Sequence, residues 1–269
     1  MRYLTFIFVS ICLLQSFFVV ASENRIISIG PSVTTTLSDL DELNTVIGVD
    51  LESQMLPKFH KLKNIGYKRM LNLEGVLSMN PTLIIFDADS GPAQTIQQFK
   101  ESGIKTITLN KPDTINNILR NINTIGKETG KSQLAEKLVY SNKLDINKAQ
   151  KLLPHHEVPG MFLMFRNDTL VTLGSNSLGN NWLKYFNIKN LNKVSNTKVN
   201  KESLLKTQAK IILIASEEKK MSDSYKKIFN LLKKNGTKII FVPVLDIEKS
   251  GSSFGQTYYK LSKVIYGTN

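Results

Sequence analysis

The chain has 269 residues, and 35 lysines and arginines outnumber 22 acidic residues, which gives a formal net charge of +13 at pH 7. Its single cysteine, Cys12, excludes an intrachain disulfide. The basic surplus consists mainly of scattered lysines without an aromatic-basic RNA-binding motif, so we expect no nucleic-acid partner.

The first 22 residues have the layout of an export signal. Arg2 precedes an apolar run from Leu4 to Val20, and two small residues follow, ending at Ser22. A membrane anchor is the alternative, but polar residues interrupt the run and it is short for a membrane span. We therefore expect residues 1–22 to be a cleaved signal peptide, removed together with Cys12.

Apolar runs alternate with helical stretches through the first 110 residues. We predict strands over residues 25–30, 45–50, 83–86 and 105–109, and helices over residues 34–43 and 93–102. The strand runs do not alternate between apolar and polar residues, as expected when both faces of a sheet are covered. This order indicates parallel βαβ units.

The middle of the chain predicts a helical connection. Apolar residues recur at helical intervals over residues 114–153, with breaks at Gly126 and Gly130, which predicts a long second helix over residues 132–153. Further strands are predicted over residues 160–165, 169–173, 210–215 and 238–242, with a closing helix over residues 256–266.

We predict an α/β fold in which two similar lobes are joined by a single long helix, with the ligand in the interlobe cleft. The expected N-terminal lobe covers residues 23–131, the connecting helix residues 132–153 and the C-terminal lobe residues 154–269. A single larger α/β domain with an irregular middle is the alternative.

An internal repeat supports the two similar lobes. Residues 72–86 align without gaps with residues 200–214. Each copy begins with an asparagine, Asn72 or Asn200, which is a preferred helix N-cap. Each then has a glutamate in the first helical turn, Glu74 or Glu202, followed by a short helix, a turn and an apolar strand.

Enzyme motifs are scarce. The sequence has no nucleophile elbow, phosphate loop or dinucleotide fingerprint, and its three histidines form no zinc motif. Asp87 and Asp89 follow a predicted strand and are interpreted as turn formers. We therefore expect a binding protein without enzymatic activity.

The segment from Asn64 to Pro81 resembles the signature of periplasmic haem-binding proteins of bacterial haem uptake ABC transporters. In that signature Gly-Tyr-x-Arg-x-Leu leads into Glu-Gly-Val-Leu-Ser, as in this segment. Residues 29–34, the Gly126-x-x-x-Gly130 pair and the closing Gly-x-x-Phe-Gly-x-Thr motif, which ends at Thr257, also resemble this family. The resemblance covers essentially the whole mature chain and implies a periplasmic, monomeric substrate-binding protein.

The resemblance implies that Tyr67 is the axial ligand of the haem iron and that Arg69 stabilises its phenolate or binds a haem propionate. Ser32, Arg166 and Phe254 are weaker candidates for haem contact. No histidine lies near residues 165–167, where some relatives carry a second ligand, and Gly255-Gln256 replaces a Pro-Arg pair. These departures favour one haem b with five-coordinate ferric iron.

The same resemblance implies that Glu74 and Glu202 dock onto arginines of an inner-membrane ABC permease. A ferric siderophore or cobalamin, bound by the same fold, is the nearest alternative ligand. A periplasmic haem-handling enzyme or chaperone is an alternative from another class. A nitrogenase-type metallocluster component is disfavoured by the export signal and the missing cysteines.

Overall fold

A computed structural model describes residues 24–216, 221–248 and 250–267. The predicted signal peptide lies outside the described residues. Within those residues, no helix is both long and apolar enough to span a membrane.

The N-terminal lobe is built on a four-stranded parallel sheet. Its strands follow the spatial order β2-β1-β3-β4, with bounds β1 Ile26–Ile29, β2 Val46–Val49, β3 Leu83–Phe86 and β4 Lys105–Thr108. Its helices are α1 Pro31–Asp39, α2 Leu51–Gln54, α3 Leu73–Leu77 and α4 Ala93–Glu101. Strands β1 and β3 are fully buried, which explains their continuous apolar sequence.

Helix α1 begins at Pro31, three residues earlier than predicted. Gly30 has a φ of 109°, so it turns the chain sharply out of β1, and Pro31 supplies the fixed φ that suits a first helical position. The helix ends earlier as well, because Asp41 adopts a left-handed φ of 58° just beyond its C-terminus.

One long helix connects the lobes, and two other helices pack against it. Helix α5 spans Ile115–Glu128, α6 spans Ser132–Gln150, and α6 packs on both α5 and the C-terminal helix α11, Phe254–Tyr266. The predicted long helix is thus present between the two sheets and ends at Gln150, followed by turns to residue 153. The exact domain boundaries stay a prediction.

The C-terminal lobe repeats the N-terminal arrangement. Its strands are β5 Val158–Arg166, β6 Thr169–Thr172, β7 Ile188–Asn190, β8 Ile211–Ala215 and β9 Lys238–Val242. Strand β5 lies between β7 and β8, and β9 pairs with β8, all parallel, while β6 adds an antiparallel hairpin strand. The parallel order β7-β5-β8-β9 thus corresponds to β2-β1-β3-β4, and the predicted α/β class is confirmed.

Some elements of this lobe were not predicted from the sequence: α7 Leu178–Tyr185, β7, α9 Asp223–Lys234 and α10 Val244–Glu248. Strand β7 has only three residues, too few to show a periodicity. Helix α9 does carry a helical pattern in its buried residues Tyr225, Ile228, Phe229 and Leu232. Helix α8, Lys201–Leu205, matches α3 as the internal repeat predicted.

One continuous hydrophobic core joins both lobes. It includes Val33 and Leu37 from α1, Ile122 from α5, and Trp182 and Phe254 from the C-terminal lobe. Because separating the lobes would expose this shared core to water, the interlobe angle is strongly constrained.

Asn142 ties the connecting helix to the C-terminal lobe within this core. Its side-chain amide donates to the Ser252 carbonyl over 2.6 Å, and its oxygen accepts from the Gly255 amide over 2.7 Å. Ser252 in turn contacts α1, because its hydroxyl donates to Asp39 over 2.7 Å and its amide donates to the Thr36 hydroxyl over 3.2 Å. Three segments therefore meet at residue 252.

Replacing Asn142 with alanine should lower the free energy of unfolding by about 1–3 kcal/mol, because buried partners on Ser252 and Gly255 lose their hydrogen bonds. Urea unfolding followed by circular dichroism measures this difference. Asn147→Ala, at an exposed position of the same helix, is the matched control and should change little. Equal effects of the two substitutions would contradict the structural role of Asn142.

Candidate ligand-binding cleft

The carboxyl ends of the N-terminal strands carry polar residues at one edge of the sheet. Gly30, Asp50 and Asp87 follow β1, β2 and β3 directly. The Asp50 carboxylate accepts from the Gly30 amide over 2.7 Å and caps α2 through Ser53, so this edge is tightly connected. In α/β folds, ligands bind in the crevice outside the carboxyl ends of the strands.

Tyr67 lies on a loop at this edge. Backbone hydrogen bonds join Leu51 to Gly66 over 2.9 Å, Gly91 to Lys68 over 2.9 Å and Leu71 to Gly91 over 3.2 Å. The loop is therefore fixed to α2 on one side and to the β3–α4 connection on the other. The Tyr67 side chain remains 40% exposed.

Lys68 turns inward beside Tyr67 and forms two ion pairs. Its ammonium lies 3.4 Å from the Asp87 carboxylate and 3.1 Å from that of Asp89, and its side chain is only 9% exposed. Burial alone would lower the pKa of Lys68, but these carboxylates raise it above the ordinary lysine value. The interpretation of Asp87 and Asp89 as simple turn formers was therefore incomplete, because both are partners of a buried cation.

Arg69 is paired with Asp89 and also lies close enough to Tyr67 for an electrostatic interaction. The guanidinium donates to the Asp89 carboxylate, and this hydrogen bond raises the pKa of Arg69. Burial alone would raise the pKa of Asp89, but Lys68 and Arg69 together lower it. Asp89 thus stays ionised and links the two cations that follow the tyrosine in the chain.

The C-terminal lobe approaches this edge through the segment around α10. Lys68 is electrostatically coupled to Glu248, whose pKa is raised by burial despite the attraction of Lys68. Ser32, partly buried at the start of α1, lies under Gly251: a Cβ on that glycine would come within 2.6 Å of the Ser32 carbonyl oxygen. Ser32 therefore takes part in the contact between the lobes.

The N-terminal edge is rich in carboxylates. Burial, together with a hydrogen bond to Asp50, raises the pKa of Glu52 to about 7. Within the part of the chain that the structure describes, Lys68 and Arg69 are the cations paired with or attracted to the carboxylates of Glu52, Asp87 and Asp89. This end of the cleft disfavours anionic groups of a ligand.

Among the described residues, no cluster of three or more metal-ligating side chains could hold a bare metal ion.

Exposed apolar side chains lie on the tyrosine loop and at helix α2, to which the loop is hydrogen-bonded. Leu51 is 44% exposed, Met55 61% and Met70 75%. Leu51 and Met70 are also joined to the tyrosine loop by backbone hydrogen bonds, to Gly66 and to Tyr67. Side chains of this kind can contact a flat apolar ligand.

Arg166 and Phe254, the two remaining residues predicted to contact the ligand, differ from each other in exposure. Arg166 is exposed at the carboxyl end of β5, next to the Asn167-Asp168 hairpin turn. Phe254 is fully buried, with its ring centroid 5.2 Å from Trp182 and 5.5 Å from Tyr258. We therefore assign Phe254 to the core, because a side chain without exposed surface cannot contact a ligand in this conformation.

The two repeat glutamates lie in equivalent local structures. Glu74 and Glu202 are exposed in the first turns of α3 and α8. As predicted, Asn72 caps α3 by accepting from the Gly75 amide, and Asn200 caps α8 by accepting from the Glu202 amide, each over 2.8 Å.

The fold and the cleft define a substrate-binding protein, and comparison with known proteins identifies the family. The periplasmic binding protein family matches residues 26–230, so the chain belongs to this family. An uncharacterised ABC transporter substrate-binding lipoprotein of Bacillus subtilis, YvrC, is 27% identical over 62% of this chain, a match spanning 54% of that relative. The vitamin B12-binding protein of Photorhabdus laumondii is 23% identical, covering 75% of this chain and 74% of that protein.

A solved structure shows the same fold. The periplasmic haem-binding protein RhuT of Roseiflexus sp. RS-1, in its apo form, superposes with a TM-score of 0.74 at 24% identity. The match covers 91% of this chain and 98% of RhuT. The two-lobed architecture predicted from the sequence is therefore confirmed, and these relatives are named for binding and transport.

Substituting Phe254 with alanine should lower the free energy of unfolding by about 3–5 kcal/mol, because it empties a fully buried aromatic site. Met70→Ala removes a large apolar side chain that is 75% exposed and should cost less than about 0.5 kcal/mol. Chemical denaturation of both variants checks this difference. A negligible cost for Phe254→Ala would instead favour a role at the cleft.

Proposed function

We propose that this chain is a periplasmic haem-binding protein that captures one ferric haem b between its lobes and delivers it to an inner-membrane ABC permease. The observation that carries this proposal is the exposed phenol of Tyr67, held on a hydrogen-bonded loop at the carboxyl edge of the sheet. Residues 1–22 would direct export and then be cleaved.

Tyr67 would supply the axial ligand of the iron. A phenolate is a hard anionic donor that suits ferric haem, and tyrosine is an established haem ligand type. A neighbouring cation favours the phenolate form. Arg69, now paired with Asp89, is 57% exposed and close enough in sequence to share its guanidinium with the bound phenolate.

The surroundings of Tyr67 suit the rest of the haem molecule. Leu51, Met55 and Met70 would cover one porphyrin face through apolar contact. The carboxylates of the N-terminal edge would repel the haem propionates. We therefore place the propionates away from Asp87 and Asp89, toward the exposed guanidinium of Arg166 on the C-terminal lobe.

Tyr67→Phe is the sharpest substitution for the iron ligand, because it removes only the phenol oxygen. We expect hemin affinity to fall by at least about tenfold, or 1.4 kcal/mol, and the phenolate-to-iron charge-transfer absorption to disappear. A visible-absorption titration with hemin measures both. Tyr140→Phe, at a 66% exposed position on α6, is the control. An unchanged spectrum and affinity in Tyr67→Phe would contradict the assignment.

Cobalamin is the second candidate ligand, because the relative from Photorhabdus laumondii is a vitamin B12-binding protein. Parallel titrations with hemin, cobalamin and a ferric siderophore separate these ligands. Saturable binding of cobalamin without hemin binding would retain the fold and replace the ligand. Ring-opening of hemin on incubation with a reductant and oxygen, faster than in the absence of the protein, would instead favour a haem-degrading enzyme.

Glu74 and Glu202 would dock the loaded protein onto the permease. Both are exposed, both follow an asparagine cap, and each belongs to one lobe, so two equivalent carboxylates are available to two subunits of a partner. Charged residues at the rim of an interface chiefly steer association and fix its orientation. Arginines on the permease would be their complementary partners.

Replacing Glu74 and Glu202 together with glutamine should leave hemin affinity unchanged and raise the half-saturating protein concentration for permease ATPase stimulation by at least about tenfold. The test uses the cognate permease in proteoliposomes with hemin-loaded protein. Glu136→Gln with Glu157→Gln, at exposed positions on α6 and before β5, is the matched control. Normal stimulation by the Glu74 and Glu202 variant would contradict the docking role, and lost hemin binding would show that the pair is structural.

A further inference from the structure

We propose that Lys68 is the positioning residue for Tyr67, and that its ion pairs with Asp87 and Asp89 hold the tyrosine loop in its ligand-binding conformation. This inference rests on the proposed haem binding. Lys68 would touch neither the haem nor the iron, and would act only through the loop that carries Tyr67.

Lys68 is buried between exposed neighbours on this loop. Tyr67 and Arg69 are exposed, whereas Lys68, between them, is buried. An inward Lys68 therefore sends both neighbours outward to the cleft. A lysine is rarely this buried unless it is paired, and here two carboxylates provide that pairing.

The partners of Lys68 are themselves fixed. The Asp87 amide donates to the Ile29 carbonyl over 2.8 Å, which attaches the aspartate to the end of β1. Gly30 allows this close approach, because a Cβ at position 30 would come within 2.6 Å of the Asp87 Cβ. Through Asp87, Lys68 thus attaches the loop to the edge of the parallel sheet.

The main chain makes the same connection. The Gly91 amide donates to the Lys68 carbonyl, and the Leu71 amide donates to the Gly91 carbonyl. The side chain and the backbone of Lys68 therefore both contact the segment from Asp87 to Gly91. Because a misplacement of about 1 Å in a reacting group can cost a hundredfold, this double attachment matters for an iron–phenolate bond.

The contacts distinguish Lys68 from other lysines of the same region. Lys63 lies five residues earlier on the same connection, and its side chain is exposed. Lys63→Met is therefore a matched control for Lys68→Met. Lys68→Arg preserves the cation, and Lys68→Met with Asp87→Asn removes a cation and a carboxylate together, so that Asp87 is not left as an unpaired buried charge.

The test is a hemin titration of these variants, with the ferric charge-transfer absorption recorded at saturation and circular dichroism confirming the fold. We expect Lys68→Met and the Lys68→Met, Asp87→Asn pair to weaken hemin binding by roughly tenfold to a hundredfold and to shift or weaken the absorption. Lys68→Arg should bind within about threefold of the unsubstituted protein, and so should Lys63→Met. Folded Lys68→Met with unchanged affinity and absorption would overturn the inference.

Hydrogen exchange of the ligand-free protein separates this inference from the proposed function. Faster exchange of the Gly91 and Leu71 amides in Lys68→Met, with unchanged exchange in Lys63→Met, is expected if Lys68 holds the loop. Unchanged exchange of both amides would overturn the anchoring whatever the ligand. Absence of hemin binding by the unsubstituted protein would overturn the proposed function, while the exchange result would still decide the anchoring.

Discussion

The ion pairs of the buried Lys68 with Asp87 and Asp89 are the constraint on which the candidate site depends. They connect the loop of Tyr67 to the end of β3, and Asp89 extends the connection to Arg69. An isolated buried charge is unfavourable, so the Lys68 ammonium and the Asp87 carboxylate, both largely buried, each require the other in place. Tyr67 can therefore remain exposed while the segment beneath it is fixed, which is the preorganisation that the proposed haem binding needs.

The second constraint is the connection between the lobes. One hydrophobic core runs from α1 through α5 and α6 to Trp182. Because its side chains pack against both lobes, few of them could move independently if the lobes shifted. Ser252 adds polar contacts to α1, and Asn142 binds the same segment from the connecting helix. A cleft built this way selects its ligand by a shape that exists before binding. We expect small interlobe adjustments rather than a wide closure.

The fold could be predicted from the sequence because its signals are local. Buried strands such as β3 and β8 are continuous apolar runs. The N-caps Asn72 and Asn200 occupy equivalent positions in the internal repeat. The candidate site was harder to predict from the sequence. The burial of Lys68 depends on aspartates 19 and 21 positions further along, which only the folded chain brings close. Phe254 was a candidate for haem contact, whereas its stripe with Tyr258, Leu261 and Ile265 on the final helix belongs to the core.

The most direct test of the account is resonance Raman spectroscopy of the stoichiometric ferric haem complex, excited in its charge-transfer absorption. Tyrosine phenolate modes that shift when the protein is labelled with ring-deuterated tyrosine are the predicted result, because the iron would be bonded to the Tyr67 oxygen. A saturated complex that lacks phenolate modes and shows histidine or water as the axial ligand would contradict the central claim.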